Sequence, residues 1–209
     1  MTLSDAQIDR YSRQIILPDF GGLGQERLLA AKLAVAGDLD VIEPALRYLV
    51  GAGIGHLDVY CVGEQGRRER VFQRLTELNP GVRLGVGDGE LPSSETVFLA
   101  ISNDPTLEFA RNFADRARSQ GVVVVRLSDA PRIAVLPSPR PCISCADDQF
   151  LGAIGPLSPI AQFALMLATT ECLKLLLSKS PSSPSVITFR GLETTVRPAS
   201  SQPKCSLCD

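Results

Sequence analysis

The chain has 209 residues, a length that suits one domain of ordinary or slightly large size. Hydrophobic residues make up 44% of it, enough for a genuine core, while the mean hydropathy is only +0.12. A formal net charge of −2 excludes a general electrostatic attraction to nucleic acid or to anionic lipid.

The first residues, Met1 to Gln14, lack the basic-then-apolar pattern of an export signal. Ser4 to Leu17 read as a helix with Ser4 or Asp5 as its N-cap. A glycine-rich turn, Phe20 to Gly24, leads into a short helix ending near Ala31. Lys32 to Gly37 is a short apolar run suited to a strand buried on both faces. Glu43 to Gly51 carries apolar residues at helical spacing, and Gly51, Gly53 and Gly55 form the exit into a strand at His56 to Val62. Arg67 to Leu78 reads as a helix stopped by Asn79-Pro80-Gly81. Its Arg67, Arg68, Arg70 and Arg74 are interleaved with acids at Glu64 and Glu69, which suggests a solvated helix start rather than a polyanion site.

Strands at Val82 to Val86, Thr96 to Ile101 and Gly121 to Leu127 follow, with a helix over Leu107 to Ser119. Strands alternating with helices of this length imply βαβ units, hence an α/β, Rossmann-like, mostly parallel sheet with flanking helices. After Ser128 come a proline-rich stretch around a strand at Ile133 to Leu136, a long apolar helix over Pro159 to Leu177, and a strand at Val186 to Arg190. The long helix is interrupted by Thr169, Thr170, Glu171 and Lys174, so it is expected to be buried in protein rather than to span a bilayer. The expected location is the cytoplasm, with no membrane and no nucleic-acid partner.

Four of the six cysteines form two C-x-x-C knuckles, Cys142/Cys145 and Cys205/Cys208. Such spacing lets two thiolates meet one ion from a tight turn, and two knuckles complete a tetrahedral Cys₄ zinc site. Four protein ligands leave no position for water, so a structural zinc is expected, tying the C-terminal segment back to the domain. The alternative is two redox-active or unrelated pairs. Cys61 and Cys172 fall in a strand and an apolar helix, where an inert buried thiol is expected. His56 lies in the turn before its strand with no evident acidic partner and is expected to be structural.

Several segments together resemble the ThiF/MoeB/HesA/E1-like (ubiquitin-activating-type adenylyltransferase) superfamily. They are Arg10-Tyr11-Ser12-Arg13-Gln14-Ile15-Ile16-Leu17 with Phe20-Gly21, then Pro44 through Tyr48-Leu49, and Gly51 to Gly55. Leu75 to Pro80, Pro141 to Cys145, the helix around Glu171 to Leu176, and Cys205 to Cys208 continue the likeness in order over nearly the whole chain. The resemblance implies a single domain, 1–209. Within it lie an N-terminal helical arm (1–31), a Rossmann-like core (32–128) and a C-terminal region with the Cys₄ site (129–209). It further implies dimers that bind ATP and adenylate the C-terminal glycine of a ubiquitin-like or sulfur-carrier protein, with a structural zinc on the two knuckles.

The residues depart from that pattern where nucleotide would bind. A phosphate turn after the first strand needs glycines, so that backbone N–H groups can approach the phosphates at a helix N-terminus. The family's turn is close to G-A-G-G-L-G; here it reads Gly37-Asp38-Leu39-Asp40-Val41-Ile42. Leu39 and Ile42 are expected to place side chains where glycines allow close approach, with Ile42 ill suited to a positive φ. Asp38, Asp40 and Glu43 add carboxylates where a triphosphate would sit. Cys61 and Gly63 replace the acidic pair that ends the family's second strand, and the phosphate-reaching segment after it is missing. Asp104 is a stand-in acid at best.

The expectation is therefore a degenerate nucleotide site with ATP binding lost and no catalytic residue assigned. The family's N-terminal arginine, here Arg13, reaches a partner's phosphates in trans; the alternative is a structural ion pair at a dimer interface. Three functions are compatible with these residues. One is a non-catalytic partner of an active homologous subunit, or a binder of a ubiquitin-like or sulfur-carrier protein. The others are an adenylyltransferase using a remodelled site, and a homodimeric small-ligand-binding or scaffold protein.

Overall fold

A computed structural model describes residues 3–62, 65–87, 96–114, 121–137, 141–146, 150, 157–178, 183–191, 193–201 and 205. In chain order the elements are α1 (Asp5–Ile15), α2 (Gly21–Ala30), β1 (Lys32–Asp38), α3 (Leu39–Ala52), β2 (His56–Val62), α4 (Gln65–Leu78), β3 (Arg83–Val86) and β4 (Thr96–Ile101). Then follow α5 (Asp104–Ala114), β5 (Gly121–Arg126), β6 (Arg132–Leu136), α6 (Ile143–Ala146), α7 (Pro159–Leu176), β7 (Ser185–Arg190) and β8 (Glu193–Pro198).

The eight strands form one sheet in the order β3-β2-β1-β4-β5-β6-β7-β8. The pairs from β3 to β5 are parallel, and β6, β7 and β8 are added antiparallel. The α/β expectation holds. Strands β1, β4 and β5 are near-continuous apolar runs because helices cover both faces, and every residue of β4 is buried. One face packs Leu33, Val35, Phe98 and Val123 against Leu46 and Leu49 of α3, Leu75 of α4 and Leu165 and Ala168 of α7. The other packs Ala34, Leu99 and Val124 against Leu107 and Ala110 of α5 and Ile143 of α6.

Local chemistry sets the helix ends. Ser4 caps α1 in a capping box with Gln7. Gly53 closes α3 at φ 92°, with Gly53 N–H donating to Val50 O and Ile54 N–H to Leu49 O. A side chain at Gly53 would collide with Gln25 and the Tyr11 ring, and one at Gly55 with the Leu29 carbonyl, so α1 and α2 dock only because both positions are bare.

The helix expected over 43–51 in fact begins at Leu39, directly after β1. Strand β8 and the short α6 had no expectation from the sequence. Helix α7 is apolar enough and long enough to cross a membrane. Its Ala161, Ala164, Leu165, Ala168 and Cys172 are nevertheless buried in this fold.

Candidate functional site

In an open α/β sheet, ligands bind outside the carboxyl ends of the strands where the strand order reverses. Here that point lies between β1 and β4. A hydrogen-bonded bridge spans it. Strand β1 runs into α3 with no intervening turn: Asp38 ends the strand and N-caps the helix, its Oδ1 accepting from Asp40 N at 3.0 Å. Its other oxygen, Oδ2, accepts from Asn103 Nδ2 at 2.7 Å, across the gap to the end of β4. Asn103 is itself an N-cap, its Oδ1 accepting from Thr106 N at 3.0 Å, so α3 and α5 are stapled at their starts.

This geometry corrects the expected obstruction. Leu39 and Ile42 do not project into a phosphate site; both are fully buried in the core. Ile42 is helical and packs over Gly37, where a Cβ would also lie 3.2 Å from Ala100. Asp38 ends β1 and Leu39 to Ile42 form the first turn of α3. Asp104 is exposed in the first turn of α5.

The three carboxylates are not left to repel one another. Arg67 pairs with Asp40 and lies 3.7 Å from Glu43, while Arg74 Nη2 donates to Glu43 Oε1 at 2.8 Å. The arginines of α4 are therefore not only a solvated helix start: two of the four neutralise the acids of α3. Exposed pairs of this kind stabilise by about 0–1 kcal/mol each. Only residues 63 and 64 separate β2 from α4, which brings those arginines in. Gly63 lies outside the described residues.

Beside this staple is a cavity of about 210 Å³, lined by Gly37, Tyr60, Cys61, Ala100, Thr106 and Phe109 among others. The Tyr60 and Phe109 rings meet at 5.7 Å. Burial pushes the Cys61 thiol up, partly opposed by Arg68, so it is a neutral thiol at neutral pH. Cys61 is half-buried rather than enclosed, while Cys172 is fully buried and its thiol is pushed well up by desolvation. His56 does have an acidic partner: its Nε2 lies 2.9 Å from Asp58 Oδ1, two residues along the same strand.

The N-terminal motif sorts itself by hydrogen bonding. Arg10 Nη1 donates to Leu78 O at 3.1 Å, closing α4, and Gln14 Nε2 donates to Gly51 O at 3.3 Å, near the end of α3. Buried Tyr11 accepts from Asn79 Nδ2 at 2.9 Å, and that same amide donates to Val50 O. Arg10, Gln14 and Asn79 thus satisfy orphan carbonyls at two helix ends, and Tyr11 holds the Asn79 amide in place. Arg13 is exposed, and among the described residues no hydrogen bond or ion pair engages it.

A groove of about 980 Å³ opens between α1, α2, α3 and α7. Gln14, Leu17, Tyr48, Leu78, Met166 and Leu173 line it, with Asp40 and Glu43 on its border. Leu17, Tyr48 and Leu78 are all more than 40% exposed.

In the C-terminal region, the sulfur atoms of Cys142, Cys145 and Cys205 lie within 4.8 Å of one another, Cys142 and Cys205 at 3.6 Å. Four thiolates around zinc at about 2.3 Å stand roughly 3.8 Å apart, so the donor set and its spacing suit a metal ion. Cys208 lies outside the described residues.

No family model matches the chain. It is 28% identical to the vegetative protein HesA of Trichormus variabilis over 225 positions, covering 90% of this chain and 84% of that one. It is 25% identical to the SAMP-activating enzyme E1 of Haloferax volcanii, over 100% of this chain and 91% of the relative. The sulfur carrier protein adenylyltransferase of Thermus thermophilus is 31% identical over 56% of this chain, which spans 49% of that protein. Among solved structures, E. coli MccB superposes with a TM-score of 0.74 at 15% identity, covering 96% of this chain and 72% of that one.

Along most of its length the chain is similar to proteins of the ThiF/MoeB-like superfamily.

Against these relatives it is short. Its alignment with the Haloferax enzyme runs over 252 positions, more than the 209 residues it has, so the relative carries stretches with no counterpart here. The residues that sequence reasoning missed are Asn103, Arg67 and Arg74 as partners of the acids. Asn103 carried a legible signal, an N-cap amide three residues before Thr106; the arginine pairing depends on α3 and α4 lying side by side.

Proposed function

We propose that this protein is a non-catalytic ThiF/MoeB-like subunit. It either partners an active homologous adenylyltransferase or binds a ubiquitin-like or sulfur-carrier protein, in the cytoplasm. The observation that carries the reading is the staple from Asp38 to Asn103 across the mouth of β1 and β4. With it, the backbone N–H groups a nucleotide's phosphates would use are replaced by a helix start already capped by its own carboxylate. Asp40 and Glu43 find their counter-charges within the chain, in Arg67 and Arg74, so no Mg·ATP is needed to balance them.

The surface that supports a protein partner is the apolar groove beside α1. Arg13 is the one side chain of its motif with its charge unspent among the described residues. An arginine supplied in trans stabilises charge developing on a transferring phosphoryl group. A zinc ion held by Cys142, Cys145, Cys205 and Cys208 would be structural, supplying cross-linking rather than chemistry.

Adding this protein to an active homologue tests the role directly. Adenylation of the carrier is expected to rise with wild-type protein and to fall back with Arg13→Ala; no response to either protein sinks the partner role. A second reading, a binding protein for a small uncharged ligand, is favoured by the apolar cavity at Tyr60 and Phe109. The third, adenylation through a remodelled site, draws on the activities named for the relatives and predicts carrier-dependent ATP turnover by this chain alone.

A further inference from the structure

The cavity beside the staple is unlike the voids of an ordinary core. At about 210 Å³ it holds many times the room one water needs, whereas well-packed interiors keep few voids larger than a water. It lies at the carboxyl ends of β1, β2 and β4, where open α/β sheets take their ligands. Small residues make the space: Ala36 and Gly37 of β1, Ala100 of β4, and Gly87 just after β3. A side chain at Gly87 would run into the Tyr60 ring, so a bare position there lets that ring lie across the end of β3. Three of the lining side chains, Tyr60, Cys61 and Phe109, reach solvent.

We propose that this cavity binds one small, uncharged, apolar aromatic molecule. The assignment rests on the small-ligand reading of the same cavity and narrows it to aromatic rings. No charged side chain lines the cavity, so a charged ligand would lose its water there without a counter-charge in the lining. The Thr106 hydroxyl is spent: it accepts from Ser102 N and Asn103 N, each at 3.0 Å, and donates to Asn103 O at 2.8 Å. That uses its one proton and both lone pairs. The Cys61 thiol is a weak donor, and the Tyr60 phenol is the other polar side-chain group in the lining. A purine carries polar atoms around its whole edge and would leave most of them unpaired, at a cost for each. An apolar ring carries no such cost. Tyr60 and Phe109, with centroids 5.7 Å apart and planes at 42°, form a tilted corner that a third ring meets edge-on or offset. An apolar cavity of about 150 Å³ already accepts benzene, so this one has room for a substituted ring or two small fused rings.

Indole is a suitable probe because the chain has no tryptophan, so its fluorescence reports its own passage from water into the cavity. Titrated into the native protein, it is expected to bind saturably with a Kd of about 0.1–1 mM. At about ten times that Kd it is expected to slow N-ethylmaleimide labelling of Cys61, located by peptide mapping, about tenfold. Ala36→Leu, which puts a larger side chain into the cavity, is expected to weaken indole binding by about tenfold or more, with circular dichroism showing that it folds. The labelling needs only the wild-type chain and stands whether or not that variant folds. Unchanged Cys61 labelling at saturating indole, or a folded Ala36→Leu that binds indole as before, would overturn the proposal. Adenosine binding more tightly than indole would overturn it too. Cyclohexanol binding as tightly as indole would overturn the aromatic class while the small-ligand reading survives, and no binding by either would remove both.

Discussion

Removing the Asp38 carboxylate separates a structural staple from a working active-site acid. In the structure Asp38 is half-buried, caps α3 through Asp40 N and accepts from Asn103 Nδ2 at 2.7 Å. Losing an N-cap to alanine costs about 1 kcal/mol. A hydrogen bond to a charged group contributes about 1.5–3 kcal/mol, and partial exposure puts this one at the low end. Asp38→Ala should therefore destabilise the fold by about 2–3 kcal/mol. For a domain of this size that lowers Tm by roughly 4–12 °C. Urea denaturation of Asp38→Ala, Asn103→Ala and the double variant completes a cycle, with an expected coupling of about 1–2 kcal/mol. Acids held for catalysis tend to be bought with stability, so their removal is neutral or stabilising. A neutral or stabilising Asp38→Ala, or single effects that add to within about 0.5 kcal/mol, refutes the staple.

Three further outcomes follow from the same structure. Gly53→Ala should cost about 1–3 kcal/mol in thermal denaturation, because φ 92° strains an alanine and its Cβ meets Gln25 and Tyr11. Thiol labelling of the native protein at neutral pH should leave Cys172 untouched and modify Cys61 slowly, with the Cys61 rate climbing as pH rises above the ordinary thiol range. The sign for stability follows: the folded thiols hold their protons longer than unfolded ones. Their contribution is thus complete below the ordinary thiol pKa and is lost as pH rises past it. Metal analysis should find about one zinc per chain, released in Cys142→Ser or Cys205→Ser; a metal-free native protein would overturn the Cys₄ assignment.

Much of the fold was legible because its strands declare themselves. Runs such as Gly121 to Arg126 are buried on both faces and leave no polar alternation to misread. The N-terminal signature was legible as a likeness but not as a mechanism. That Arg10, Tyr11 and Gln14 tend the ends of α3 and α4, leaving Arg13 over, depends on contacts as distant as Tyr11 to Asn79. At the β1–α3 junction the sequence places the start of α3 at Glu43, four residues late, because the N-cap role of Asp38 shows only once the strand's end is known. Strand β8, short, polar and exposed, has none of the apolar pattern by which strands are recognised.

The most direct test of the central claim is calorimetric titration of the isolated protein with Mg·ATP. With the mouth of β1 and β4 stapled and its acids already paired, the account predicts no saturable heat even at about 1 mM nucleotide. Saturable binding at micromolar concentration would contradict it and return the chain to the adenylyltransferases.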